Sequence, residues 1–209
     1  MLVRDIMHRD TVTVSPEASL EEAYRLMQEK RFRHLPVLEG GRLVGVVTDR
    51  DLRLATSELV QRPFHPDARV RNVMTEHPRT ASPLDAVEDA ARLMRELKIG
   101  CLPVIDGDQL LGIVTGIDLL DALLKLTGVD KPSSRIEVEL EDKPGELSRL
   151  ANFFGSRNVN IHSLLTYPDT PTQLRTVLRI GSIESRLLAD SLRKEGFEVV
   201  WPPAKPWHS

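Results

Sequence analysis

The chain has a single cysteine, Cys101, which excludes an internal disulfide and any multi-cysteine metal cage. No apolar run approaches the ~20 residues that a membrane-spanning helix needs. The opening Met1-Leu2-Val3-Arg4-Asp5 lacks the basic-then-apolar layout of a secretory leader. A cytoplasmic protein with no membrane association is expected. Excess charge of one sign is also missing, with 28 Lys and Arg against 31 Asp and Glu and a formal net charge of −3. A surface that tracks phosphates shows as a basic excess, so nucleic-acid binding is not expected as the main task. There is no Gly-x-x-x-x-Gly-Lys phosphate loop, no Gly-x-Ser-x-Gly elbow, and no carboxylate pair placed for acid–base work. Those absences argue against an enzyme, and neither a cofactor nor a metal is expected.

What is present is a repeat. Val3–Leu52 lies on Val70–Leu119 without a gap, with about 22 of 50 positions identical. Leu35-Pro36-Val37 meets Leu102-Pro103-Val104, and Gly45-Val46-Val47-Thr48 meets Gly112-Ile113-Val114-Thr115. Two such copies bury their apolar faces against each other and predict a pseudo-two-fold pair with two equivalent clefts.

Each copy reads as strand–helix–strand–strand–helix. The first strands are Thr11–Val14 and Arg79–Ala81. Ser15-Pro16 and Ser82-Pro83 then read as helix caps with proline in the first turn, and Ser82 with Asp85 is close to a capping box. Leu20, Ala23, Tyr24 and Met27, matched by Val87, Ala90, Ala91 and Met94, keep the spacing of a one-sided amphipathic helix. Short apolar strands follow at His34–Leu38 and Cys101–Ile105, then Gly-containing turns, then strands Leu43–Val47 and Leu110–Val114. The second helices run from Asp49 to about Gln61 and from Gly116 to about Leu126.

Leu-Pro-Val, an acidic-Gly turn and Gly-x-Val-Thr-x-x-Asp, twice over, resemble the cystathionine-β-synthase-type (CBS) domain, and the tandem resembles a Bateman module. A hydroxyl and backbone N–H groups at the start of a helix suit a phosphate, and a carboxylate three residues on suits the two hydroxyls of a ribose. The resemblance implies adenosine-type ligands at Thr48, Asp51, Thr115 and Asp118, aspartate on the ribose and threonine near the phosphate. The same Thr-x-x-Asp pattern also reads as a helix cap needing no ligand.

The copies diverge at informative places. Arg31, Arg33, His34 and Arg50 align with Lys98, Gly100, Cys101 and Ile117. This predicts a phosphate-facing half built from Arg33, His34 and Arg50 and a more apolar second half, unless the arginines are simply solvated ion pairs. His34 and Cys101 hold equivalent positions, but no local His/Cys/Asp cluster supports a metal, and Cys101 reads as a small buried hydrophobe.

Beyond Asp130-Lys131-Pro132-Ser133-Ser134 the pattern changes. Strand Arg135–Leu140, helix Glu146–Arg157, strands Val159–Tyr167 and Leu174–Ile180, helix Glu184–Glu195 and strand Phe197–Trp201 give βαββαβ, a ferredoxin-like layout. Asp-x-Pro-Gly-x-Leu with Asn-x-Asn-Ile is similar to the ACT domain. That resemblance implies an amino-acid effector site at Asp142, Gly145, Leu147 and Asn160, often shared between two copies. A plain turn relieved by Gly145 accounts for the same residues without a ligand. The proline-rich tail carries Trp207, either packed on a neighbour or loose.

The fold class is α+β: a first CBS domain over 1–62, a second over 63–127, a linker over 128–133, an ACT-like domain over 134–203 and a tail over 204–209. The order resembles the acetoin-utilisation B-type proteins of bacteria. The expected function is a regulatory sensor for an adenine nucleotide, with a homodimer as the form and an amino acid as a second input. The competing expectation is a ligand-free scaffold that uses both module types for assembly.

Overall fold

The computed structural model describes residues 1–204. The expectation for Trp207 lies outside the described residues. The chain divides into two compact units, Met1–Ala122 and Leu123 onward.

In the first unit, α1 (Leu20–Lys30), β1 (His34–Glu39), β2 (Arg42–Thr48) and α2 (Asp49–Ala55) form one copy. The second consists of α3 (Val87–Leu97), β4 (Cys101–Asp106), β5 (Gln109–Thr115) and the start of α4 (Gly116–Thr127), which runs on into the second unit. The hairpins β1–β2 and β4–β5 are antiparallel and share a register shift at Val37/Leu38 and Val104/Ile105.

The expected opening strands are reduced to single parallel bridges, Val14 to Val37 and Ala81 to Val104. Only one residue of each segment is in register, because the Ser-Pro turn redirects the chain at once. That turn is not the helix cap the sequence suggested. Ser15 and Ser82 use their hydroxyls to accept the N–H of Glu17 and Leu84, at 3.2 and 3.3 Å. The cap of α1 is Ser19, whose hydroxyl accepts the Glu22 N–H while Glu22 returns to the Ser19 N–H. With both donors satisfied, Ser19 is the better start. Helix α2 also ends earlier than expected. The Thr56 hydroxyl donates to the Leu52 carbonyl at 2.9 Å, a side-chain bond that competes with helix propagation.

The cores of the two copies are completed crosswise. Val3 and Met7 are buried with Ala90, Met94, Leu102, Val104 and Val114 of the second copy. Val70, with Val73 and Met74 beside it, is buried with Leu20, Met27, Leu35, Val37 and Val47 of the first. Backbone bonds hold both segments in the same way, Val3 N–H to the Asp85 carbonyl and Val70 N–H to the Ala18 carbonyl, each at 2.9 Å. After Met74, β3 (Thr75–Glu76) joins β2, and His8 bridges Ile113 of β5. Glycine is needed where these segments approach. A Cβ at Gly45 would meet Met74 Sδ at 2.6 Å, and one at Gly112 would run into the His8 carbonyl.

The second unit contains β6 (Ser134–Glu141), α5 (Glu146–Gly155), β7 (Ile161–Thr170), β8 (Gln173–Ile180), α6 (Ser185–Lys194) and β9 (Glu198–Trp201). The sheet order is β7-β8-β6-β9, all antiparallel, the ferredoxin-like arrangement read from the sequence. Alternation on β6 sends Ile136, Val138 and Leu140 into a core with Leu150, Phe154, Leu178, Ile180 and Leu192. On the opposite face Arg175 joins Glu137, Glu139 and Asp169 in a half-buried ion network.

Candidate functional site

Where two equivalent clefts were expected, both Thr-x-x-Asp ends open on one, of about 1060 Å³. The reason lies between the copies. Val46, Cys101 and Ile113 form a small apolar cluster that ties the two hairpins together, so the ends of β2 and β5 share a rim. Thr48, Arg50, Asp51, Arg33, His34 and Thr115 all line this cleft. Asp118 does not line it and is buried.

The first end is built by a capping box on α2. Asp51 Oδ2 accepts the Thr48 N–H at 2.9 Å and the Thr48 hydroxyl at 2.7 Å, while Thr48 Oγ1 accepts the Asp51 N–H at 3.1 Å. Asp51 Oδ1 has no hydrogen-bond partner among the described residues. Thus the cap and ligand readings are compatible here: one oxygen caps and the other remains available. Helix α2 spans only 7 residues, so a phosphate would depend on side-chain cations more than on the helix start.

Those cations are present. Arg31, Arg33, Arg50, Arg79 and Lys98 all line the cleft, and no side chain among these five makes an ion pair or hydrogen bond with another described residue. Of the three aspartates in the lining, Asp49 is engaged by Arg53 Nε at 2.9 Å. Arg31 and Lys98 each close the preceding helix in the left-handed region, φ 56° and 55°, at matched positions of the repeat. The sequence reading did not single out Arg79, His8, Asp10 or His77, which also line the cleft. Its own rule would have found all four, since His8 aligns with Thr75, Asp10 with His77 and Val12 with Arg79.

His34 and Cys101 both line this cleft. Burial lowers the His34 pKa, the Arg33 charge lowers it further, and Asp51 partly opposes both. Burial pushes the Cys101 thiol up to about 12, with the Asp51 charge adding to it. The thiol is therefore protonated and inert at neutral pH.

In the second unit, one chain does not bring the four expected effector residues together. Asp142 follows β6 and donates its N–H to the Thr172 carbonyl at the β7–β8 hairpin. Gly145 starts α5 at φ 98°, with Leu147 exposed just after it. Asn160 precedes β7 and accepts from Gly181 N–H, at the other end of the sheet. The 8 residues of β6 separate those ends by roughly 25 Å.

Residues 3–58 and 70–125 each match the CBS domain, and residues 134–196 match the ACT domain. The chain belongs to the CBS-domain family. It carries a tandem CBS pair followed by a C-terminal ACT domain. A CBS domain-containing protein of Dictyostelium discoideum is 35% identical over 147 residues, covering 64% of this chain and 99% of that protein. The structure of CBSX2 in complex with AMP superposes with a TM-score of 0.54 at 31% identity, covering 60% of this chain and 97% of the other. That of the acetoin-utilization-type protein AcuB from Vibrio cholerae gives a TM-score of 0.52 at 31% identity, covering 63% and 98%. CBS and ACT domains are regulatory modules, and no helix among the described residues is long and apolar enough to cross a membrane.

Proposed function

We propose that this chain is a regulatory sensor in which the CBS pair binds an adenine nucleotide. The observation that carries the reading is the set of five unpaired cations around a carboxylate with one open oxygen. Unpaired guanidinium groups facing one cleft attract a phosphate, for which arginine supplies charge and paired donors. Asp51 Oδ1 is the acceptor available to ribose hydroxyls. The CBSX2 complex shows that a chain similar to this one takes AMP. A ligand of this kind regulates by binding one conformational or assembly state better than another.

Calorimetric titration of AMP, ADP, ATP and S-adenosylmethionine against wild type, Asp51→Ala and Arg33→Ala/Arg50→Ala tests this. Binding of at least one adenine nucleotide, weakened tenfold or more by either variant, is the expected result. A folded wild type that binds none of the four sinks the reading.

We read the working form as a homodimer in the cytoplasm. Asp142 and Gly145 lie at one end of the ACT sheet and Asn160 at the other, so an amino-acid site using all of them needs a second chain. Helix α4 supports the dimer as well. Ile117, Leu120 and Leu124 are exposed on it, where the matched positions of the first copy hold Arg50, Arg53 and Ser57. Light scattering on Leu120→Glu/Leu124→Glu should show a lighter species than wild type. If thermal midpoints stay fixed across the nucleotide panel, the scaffold reading replaces the sensor.

A further inference from the structure

The two Thr-x-x-Asp ends differ in one residue that reaches only one of them. Asp118 Oδ2 accepts the Thr115 N–H and hydroxyl, both at 2.7 Å, matching the bonds at Asp51. Its second oxygen is also covered, because His8 Nε2 lies 2.8 Å from Asp118 Oδ1, at ion-pair distance. The Asp118 side chain is left 7% exposed while the imidazole is 63% exposed, so His8 covers the carboxylate from the solvent side. In the repeat His8 aligns with Thr75, and Thr75 makes no hydrogen bond to Asp51. Asp51 Oδ1 therefore stays open.

Space does not account for the difference. Thr115 and Ile117 line the same cleft as Asp51, and its volume of about 1060 Å³ exceeds the roughly 300–1,000 Å³ that small-molecule pockets span. What the second end lacks is a free carboxylate oxygen.

We propose that His8 closes the second ribose-type position, so that each chain takes one adenine nucleotide, at Asp51, and the residue at position 8 sets that number. The inference rests on the nucleotide reading above and specifies how its sites are used. It makes His8 a stoichiometry-determining residue that acts through Asp118. The backbone at His8 is held independently of its ring, by bonds of 2.9 and 3.0 Å to and from Ile113. His8→Thr therefore removes the imidazole, installs the residue found at the matched position, and leaves the strand bridge in place.

Calorimetric stoichiometry with AMP and with ATP, on the full chain, tests it in four proteins. Wild type should bind one nucleotide per chain and His8→Thr two. Asp51→Ala should lose at least tenfold in affinity, and His8→Thr/Asp51→Ala should recover one site per chain. Two sites per chain in wild type, or one in folded His8→Thr, overturns the inference and leaves the nucleotide reading intact. No binding of either nucleotide to wild type or His8→Thr overturns the nucleotide reading, and this inference with it. The wild-type count and the Asp51→Ala affinity decide the matter if a position-8 variant fails to fold.

Discussion

The His34 ring of the first CBS copy lies against Gly100 of the second, so closely that a Cβ there would stand 2.7 Å from His34 Nε2. Repeat alignment pairs Gly100 with Arg33, so the loss of a side chain in one copy makes room for an imidazole from the other. Gly100→Ala should displace the ring without unfolding the protein, since the blocked atom is the tip of a rotatable side chain. We expect a stability loss within about 1.5 kcal/mol and an upward move of the His34 titration as burial is relieved. Proton NMR of the imidazole checks it, and an unmoved His34 would count against the contact.

The same histidine makes stability depend on pH. Its pKa is lowered from 6.5, chiefly by burial, so the folded chain takes the proton less readily than the unfolded one. Above pH about 6.5 neither state holds that proton and His34 contributes nothing to the balance. As pH falls below 6.5 the unfolded chain is protonated first, and stability declines until the folded pKa is passed. Urea midpoints should drop from pH 7.5 to 5, and His34→Gln should drop less. Equal slopes in the two proteins would remove His34 from the account.

Cys101 should resist alkylation. A thiol raised to about 12 and buried beside Val46 and Ile113 has almost no thiolate at pH 8. Native protein should leave iodoacetamide unreacted over hours, whereas urea-unfolded protein reacts within minutes. Mass spectrometry reads the difference directly.

Gly45 and Gly112 occupy matched positions, but their neighbours differ in how far they can yield. A side chain at Gly45 meets first the mobile Sδ of Met74, and one at Gly112 meets the His8 backbone carbonyl. Gly112→Ala should cost roughly 2–3 kcal/mol and Gly45→Ala about half that, on the scale of overpacked cores. Chemical denaturation of the two variants ranks them, and the opposite order would refute the argument.

Much of this was legible in the chain because the signal occurs twice. Leu20, Ala23 and Met27 against Val87, Ala90 and Met94 identify the core faces of α1 and α3, and the ferredoxin-like order follows from clean alternation on β6. Positions governed by competition among local bonds were less readable. Ser15-Pro16 has the composition of a cap, yet Ser19 prevails because Glu22 answers it. Thr48 and Asp51 were legible as a pair, but no pattern reveals which carboxylate oxygen stays open. That depends on His8, distant from Asp118 in sequence and brought to it by the path of the N-terminal segment. Val3 and Val70 were visible as repeated residues, but one dimension cannot show which hydrophobic cluster each enters.

That exchange has a consequence for how the pair came to exist and how it comes apart. Because Val3–Met7 seals one copy and Val70–Met74 the other, cutting the chain between the copies would leave each half wearing its neighbour's closing piece. A lone copy retains its helices and hairpin but must borrow a leading segment, and a second identical copy is the natural lender. The tandem has the connectivity of a swapped homodimer joined head to tail, in which duplication and fusion need no new contacts. The two copies should accordingly melt as one cooperative block.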